Sequence, residues 1–338
     1  MSSLTLAQWD LVIPQARAAG LLGRLAPLAM CGQIRPSLPT RVWQALESGL
    51  VLASRQAVNV QQELRQLDAA LYKLGAPVIV LKGAAYIASD SPAAAGRLMS
   101  DIDILVEKEA IHEVESALML AGWMSSQLDA YDQRYYRQWM HEIPPMQHIR
   151  RGTTLDVHHN LLPETARTRT RPDLIMASAV RLPGMSCLHV PAELDMILHS
   201  ATHLMHEGEW HHGLRDLSDL YTLILAASAE RSDFWSDLKN RAGELNLERP
   251  IYLALIQLER VFGLKSPLWV TNKRVSDGVL HEIITSGVYS FHSSCRTNLT
   301  FLSELALYVR SHWLRMPMHL LIPHLFHKAI KPDANNTS

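Results

Sequence analysis

Residues 78–106 read VIVLKGAAYIASDSPAAAGRLMSDIDILV, and this stretch decides the fold. The run Val78-Ile79-Val80-Leu81 has the composition of a buried strand and breaks at Lys82-Gly83. Ala84 to Ala88 suits a short helix, and the loop from Ser89 to Gly96 delivers Arg97. Ser100 to Val106 is the next strand, where carboxylates alternate with large apolar residues. Successive strand side chains point to opposite faces, so Asp101 and Asp103 share one face while Ile102 and Ile104 share the other. Two carboxylates so placed repel each other, and a divalent cation held by hard oxygen donors is the simplest compensation.

Upstream, the chain reads as helix. Trp9, Val12, Ile13 and Ala16 suit one amphipathic segment, and Pro36 to Pro39 marks a loop. From Thr40 to Leu74, apolar residues recur at spacings of three or four, and Gly75-Ala76-Pro77 stops the helix. Residues 1–75 are therefore expected to form an N-terminal helical layer, a scaffold. Downstream, Glu109 to Gly122 is a helix, and Tyr135 to Ile149, broken by Pro144-Pro145, suggests edge strands or a hairpin. Thr153 to His158 is a further strand that carries Asp156. This succession predicts an α+β fold with a small mixed-sheet core over residues 76–165. From Pro163 the pattern turns helical, with two helices in Pro191 to Ala227 and others near Ser232–Ala242, Ile251–Phe262 and Asn298–Arg310. Residues 166–332 are expected to be a helical domain and 333–338 a disordered tail. Trp313 to Lys331 reads as a C-terminal helix closing the core in preference to one lying on a membrane surface.

Composition limits the function classes. The chain has 338 residues, 48% hydrophobic and 19% charged, which describes a globular protein. A formal net charge of −1 forecasts no wide nucleic-acid footprint, so no stable nucleic-acid complex is expected. The single basic cluster, Arg167 to Arg171, reads as a solvated loop. Cys31, Cys187 and Cys295 are far apart and form no CxxC pair, which fits a reducing compartment. Without a signal-peptide pattern or a transmembrane run of about 20 apolar residues, the expected location is the cytoplasm.

The remaining chemistry gathers around the carboxylate pair. Asp156 supplies a third carboxylate on a nearby strand, Lys82 a point charge, Gly83 a close backbone approach, and Arg97 and Ser100 stand just ahead of the pair. Phosphoryl or nucleotidyl transfer needs these parts, with two metal ions about 3.5–4 Å apart clamping the attacking and leaving oxygens. His158 shares a strand face with Asp156 and is a candidate to orient a metal-bound carboxylate. His199 and His203 share a helical face, but HExxH is absent, so a structural or substrate-lining role is expected for His203. Arg215 and Asp219 form an i,i+4 pair, for which an internal salt bridge is the default; reaching substrate phosphate is a secondary role for Arg215. There is no GxSxG elbow and no P-loop.

Taken together, L-K-G, R-L-M-S-D-I-D-I-L-V, a helix ending A-G-W, H-E-I-P-P, L-D-V-H-H-N-L-L-P and H-S-A-T-H-L…L-R-D-L-S-D-L form a specific set over about residues 60–225. The set resembles the uncharacterised bacterial nucleotidyltransferase family of the DNA-polymerase-β-like superfamily. The resemblance implies a phosphate turn at Gly83, a metal pair at Asp101 and Asp103, and a third metal carboxylate at Asp156 that activates the acceptor. It also implies Mg2+ (or Mn2+) as cofactor and an NTP as substrate. The turn reads Lys82-Gly83-Ala84, without the superfamily's usual Gly-Ser or Gly-Gly, and the interval to Asp101 exceeds the minimal spacing. The expected activity is nucleotidyl transfer from an NTP to an unidentified small-molecule, peptide or protein acceptor. The alternatives are a toxin-like transferase acting on RNA or protein, and a non-catalytic nucleotide-binding scaffold of a biosynthetic cluster.

Overall fold

The computed structural model describes residues 4–125, 129–270 and 275–317. Three helices lead the chain: Leu6–Ala18 (α1), Leu22–Cys31 (α2) and Thr40–Leu71 (α3). A capping box opens α1, in which the Gln8 N–H donates to Thr5 Oγ1 and the Thr5 N–H to Gln8 Oε1. α2 crosses α3 at a glycine contact: a Cβ on Gly23 would lie 2.8 Å from the carbonyl oxygen of Gly49 and 2.7 Å from that of Gly96. These helices close over their own core of Trp9, Ala26 and Leu46.

The middle of the chain supplies Val78–Leu81 (β1), Lys82–Ala88 (α4), Asp101–Leu105 (β2), Ile111–Leu120 (α5) and Trp123–Ser125 (β3). Ala130–Trp139 (α6), Met146–His148 (β4), Thr154–His158 (β5), Pro172–Ser178 (α7), Val180–Arg181 (β6) and Leu188–Val190 (β7) follow. The strands form one mixed sheet in the order β3-β4-β5-β2-β1-β7-β6. β2 runs parallel to β5, while β1 is antiparallel to β2 and parallel to β7. Asp68 of α3 fastens β7 from outside the sheet: its carboxylate accepts from the N–H groups of Ser186, Cys187 and Leu188 at 2.8–3.2 Å. These donors outweigh burial and hold the carboxyl below its usual range.

Six helices complete the described chain: Glu193–His206 (α8), Gly213–Glu230 (α9), Phe234–Glu244 (α10), Glu248–Phe262 (α11), Val275–Val288 (α12) and Thr300–Arg315 (α13). α8 packs on α4, α9 and α11, and α9 also reaches the Pro92–Ala94 turn. The fold is α+β, a mixed sheet with helices at both ends of the chain. Among the described residues, no helix is long and apolar enough to cross a membrane.

Local expectations fail in three places. Tyr135 to Trp139, expected as edge strand or hairpin, lies in α6, and only Met146–His148 is strand. The loose alternation ahead of Pro144-Pro145 suggested strand, but Tyr135 packs edge-on to Trp139 at helical spacing, and Arg137 forks onto Glu115 of α5. The stretch after Pro163, expected to be helical, contains β6 and β7. They are too short for periodicity, and β7, with Leu188 and Val190 buried beside β1, is placed by tertiary pairing alone. β3 and α12 were not expected at all. The C-terminal helix expected over Trp313 to Lys331 is described only through Pro317; the remainder and the tail 333–338 lie outside the described residues.

Candidate active site

β1 runs directly into α4, and the residue at the junction is Lys82, with φ +49°. This left-handed backbone is costly for a residue with a Cβ, about 1–3 kcal/mol, and such strain collects at sites where geometry matters. Lys82 sends its ammonium to Asp103 Oδ1, 2.7 Å away, and His158 Nε2 lies 3.0 Å from the same oxygen. His158 Nδ1 in turn faces Glu142 Oε2 at 3.3 Å. Burial alone would raise the Asp103 carboxyl, but the Lys82 ammonium and His158 outweigh it and hold the group well below the ordinary carboxylate range. The Lys82 ammonium is held above the ordinary lysine range by Asp103, against the opposing effect of burial.

The parallel pairing of β2 with β5 sets Asp101 beside Thr154 and Asp103 beside Asp156. Neighbouring strands are about 4.8 Å apart, so the side chains of Asp103 and Asp156 stand next to each other on one face. Ser100, just before β2, donates its hydroxyl to Asp101 Oδ1 at 2.8 Å. Asp156 Oδ1 is buried and has no hydrogen-bond partner among the described residues. Burial, then the charges of Asp103 and Glu142, push the Asp156 carboxyl up to about 7. Asp101, Asp103 and Asp156 thus offer the hard oxygen donors a divalent cation takes, and such an ion would satisfy the orphaned Asp156 oxygen. The residues fit the group.

A cavity of about 280 Å³ opens in front of Asp101 and Asp103. Its near wall is Lys82 and Gly83; its far wall comes from α8 and α9, with Ser200, His203, Glu207, His212 and Arg215. Asp156 sits one strand beyond Asp103 and does not line it. Tyr86 reaches across from α4 to Ser200, with the two oxygens 2.6 Å apart. His203 faces Glu207 at 3.7 Å, and burial, with Lys82 nearby, keeps its imidazole neutral. His199, behind it, is pushed down to about 3 for the same reasons.

At the other end of the cavity, guanidiniums and carboxylates interlock. Arg97 Nε lies 2.6 Å from Asp219 Oδ2 and its Nη2 3.6 Å from Asp216 Oδ1; Arg24 Nη2 lies 2.6 Å from Asp219 Oδ1. The expected Arg215–Asp219 pair is not formed. Asp219 is 2% exposed and turns inward to the two buried guanidiniums, whereas Arg215 stays at the cavity and pairs with Asp216 at 2.9 Å. Gly83 is where Arg97 presses on the turn, and a Cβ there would overlap the Arg97 guanidinium and Met99. Arg24 and Glu142 are among the participants that escaped the sequence reading. Arg24 comes from α2, which read only as scaffold, and carries no local signal. Glu142 lies in the quoted H-E-I-P-P segment, where its acidic side chain beside a histidine was the available signal.

No curated protein and no solved structure matches the chain. A protein family described as uncharacterised nucleotidyltransferase matches residues 5–263, a span that holds α1 through α11, the whole sheet and every side chain of the site described above. The chain belongs to that family.

Proposed function

We propose that the protein transfers a nucleotidyl group from an NTP to an acceptor, with Mg2+ (or Mn2+) held by Asp101, Asp103 and Asp156. The observation that carries this reading is the pairing of Asp103 with Asp156 across parallel strands, with one Asp156 oxygen buried and unsatisfied. When bound, the metal supplies charge neutralisation and polarises phosphoryl oxygens. The chain's own residues do the rest. Lys82 meets the polyphosphate as a point charge beside Gly83. Arg97 and Arg215 belong to a cluster in which three guanidiniums (with Arg24) face two carboxylates, an excess of positive charge suited to phosphate oxygens. Asp156, paired with Asp103 across the parallel strands, completes the metal set and acts as the base toward the acceptor hydroxyl. His158, outside the cavity, holds Asp103 in place, and His203 lines the cavity wall across from Lys82 and Gly83.

The order of phosphate turn, carboxylate pair and third carboxylate supports kinship with the DNA-polymerase-β-like superfamily. Three free cysteines support a cytoplasmic setting. An RNA acceptor is disfavoured, because Arg167 stacks on Trp313 at 3.7 Å and Arg171 pairs with Asp173 at 2.8 Å, leaving little of the basic run for phosphates. The test is Mn2+ binding followed by electron paramagnetic resonance. Asp156→Asn is expected to weaken Mn2+ affinity by at least about tenfold. Wild-type affinity in that variant would remove Asp156 from the metal set.

A further inference from the structure

The segment joining α6 to β4 carries His141 and Glu142, side chains that the proposed transfer does not use. Backbone pairing fixes where they sit: Ile143 N–H donates to Val157 O at 3.0 Å and His159 N–H to His141 O at 2.8 Å, which sets Glu142 opposite His158. One donor atom from each of His141, Glu142 and His158 lies within 4.8 Å of the other two. The two imidazole rings are 5.2 Å apart, centre to centre.

We propose that His141, Glu142 and His158 form a second metal site, one that takes a borderline transition-metal dication such as Zn2+. Two imidazoles and one carboxylate are the donor set of three-ligand zinc sites, whereas Mg2+ takes oxygen donors almost alone. A second, independent observation points to a ligand. His141 Nδ1 is buried and has no hydrogen-bond partner among the described residues, and an unsatisfied group of this kind is destabilising unless a ligand meets it.

The surroundings agree in charge and in orientation. Asp101, Asp103 and Glu142 gather three carboxylates around the Lys82 ammonium, so added positive charge is favoured even with Arg315 close by. His158 is oriented as a metal-bound histidine is. Its Nδ1 faces Glu142 and the proposed ion, while its Nε2 faces the Asp103 carboxylate at 3.0 Å, the outer partner that fixes ring orientation in such sites. The second site would thereby brace the carboxylate that the transfer reaction needs.

The experiment uses the full chain, stripped of metal by chelation and titrated with Co2+ as a visible-absorbing probe. One Co2+ per chain with strong d–d absorption is expected, displaced by Zn2+ and not by excess Mg2+. His141→Ala and Glu142→Gln, checked for folding by circular dichroism, are expected to weaken Co2+ binding at least about 100-fold. Asp101→Ala is expected to keep the strong d–d absorption of the Co2+ bound at His141, Glu142 and His158. Three results would each overturn the proposal: no stoichiometric binding, wild-type titration by both ligand variants, or binding lost in Asp101→Ala and kept in His141→Ala. The last would assign the ion to the aspartates.

Discussion

Asp219→Ala is the substitution whose cost follows most directly from the structure. The carboxylate is 2% exposed and receives two guanidiniums at 2.6 Å, Arg24 on one oxygen and Arg97 on the other, whose side chains are 9% and 8% exposed. Removing it leaves the buried Arg24 guanidinium without a carboxylate partner among the described residues and Arg97 with only Asp216 at 3.6 Å. Breaking a buried pair from one side costs about 3–5 kcal/mol, far more than the net worth of the pair itself. For a chain of this size that corresponds to a fall in melting temperature on the order of 10 °C. Differential scanning calorimetry measures it. Asp216→Ala is the internal comparison: its contacts are 2.9 and 3.6 Å, its side chain is 19% exposed, and its loss should cost roughly 1 kcal/mol. Combining Arg24→Met with Asp219→Ala should destabilise less than the two single changes added together, since the second change removes a charge the first has stranded. A melting temperature for Asp219→Ala within about 2 °C of wild type would refute the reasoning, because it would mean that water reaches both arginines.

Two further outcomes are expected. Gly23→Ala places a Cβ 2.7–2.8 Å from two carbonyl oxygens of the backbone, which no rotamer change relieves, and should cost about 1–3 kcal/mol in urea unfolding; the same change at the open Gly75 would act through backbone strain alone. His206 is buried and pushed down to about 4, by burial first and then by Arg310 and Arg315, against an unfolded value of 6.5. Between those values the unfolded chain binds the proton and the folded chain does not. Stability is therefore full above pH 6.5 and is lost as the pH falls toward 4, by up to roughly 3 kcal/mol. Urea unfolding midpoints from pH 7.5 to about 4.5 measure it, and His206→Gln should flatten that slope.

What could be read from the chain depended on how local its cause was. β1, β2 and β5 announce themselves, because Val78 to Leu81 is uniformly apolar and the two aspartate strands alternate charge with Ile, Leu and Val. Residue spacing alone put Asp101 and Asp103 on one face. The neighbourhood of Asp103 and Asp156 needed more, since only the parallel register of β2 with β5 creates it and no residue encodes that register locally. β6 and β7 were missed because two or three residues carry no period, and β7 exists because Val78 and Ile79 offer it backbone partners. α6 was misread because a loose alternation running into Pro144-Pro145 has the look of an edge strand. The Asp219 cluster joins residues 24, 97 and 219, and the i,i+4 rule that paired Asp219 with Arg215 had no knowledge of buried guanidiniums arriving from elsewhere.

The central claim, an NTP and metal site built on Asp101 and Asp103, is tested most directly by calorimetric titration. The purified chain is titrated with each of the four NTPs, with and without Mg2+, beside the Asp101→Ala/Asp103→Ala double variant. Binding of at least one NTP that requires Mg2+ and disappears in the double variant is the predicted result. NTP binding that persists unchanged in the double variant, or that is absent with Mg2+ present, would contradict the claim.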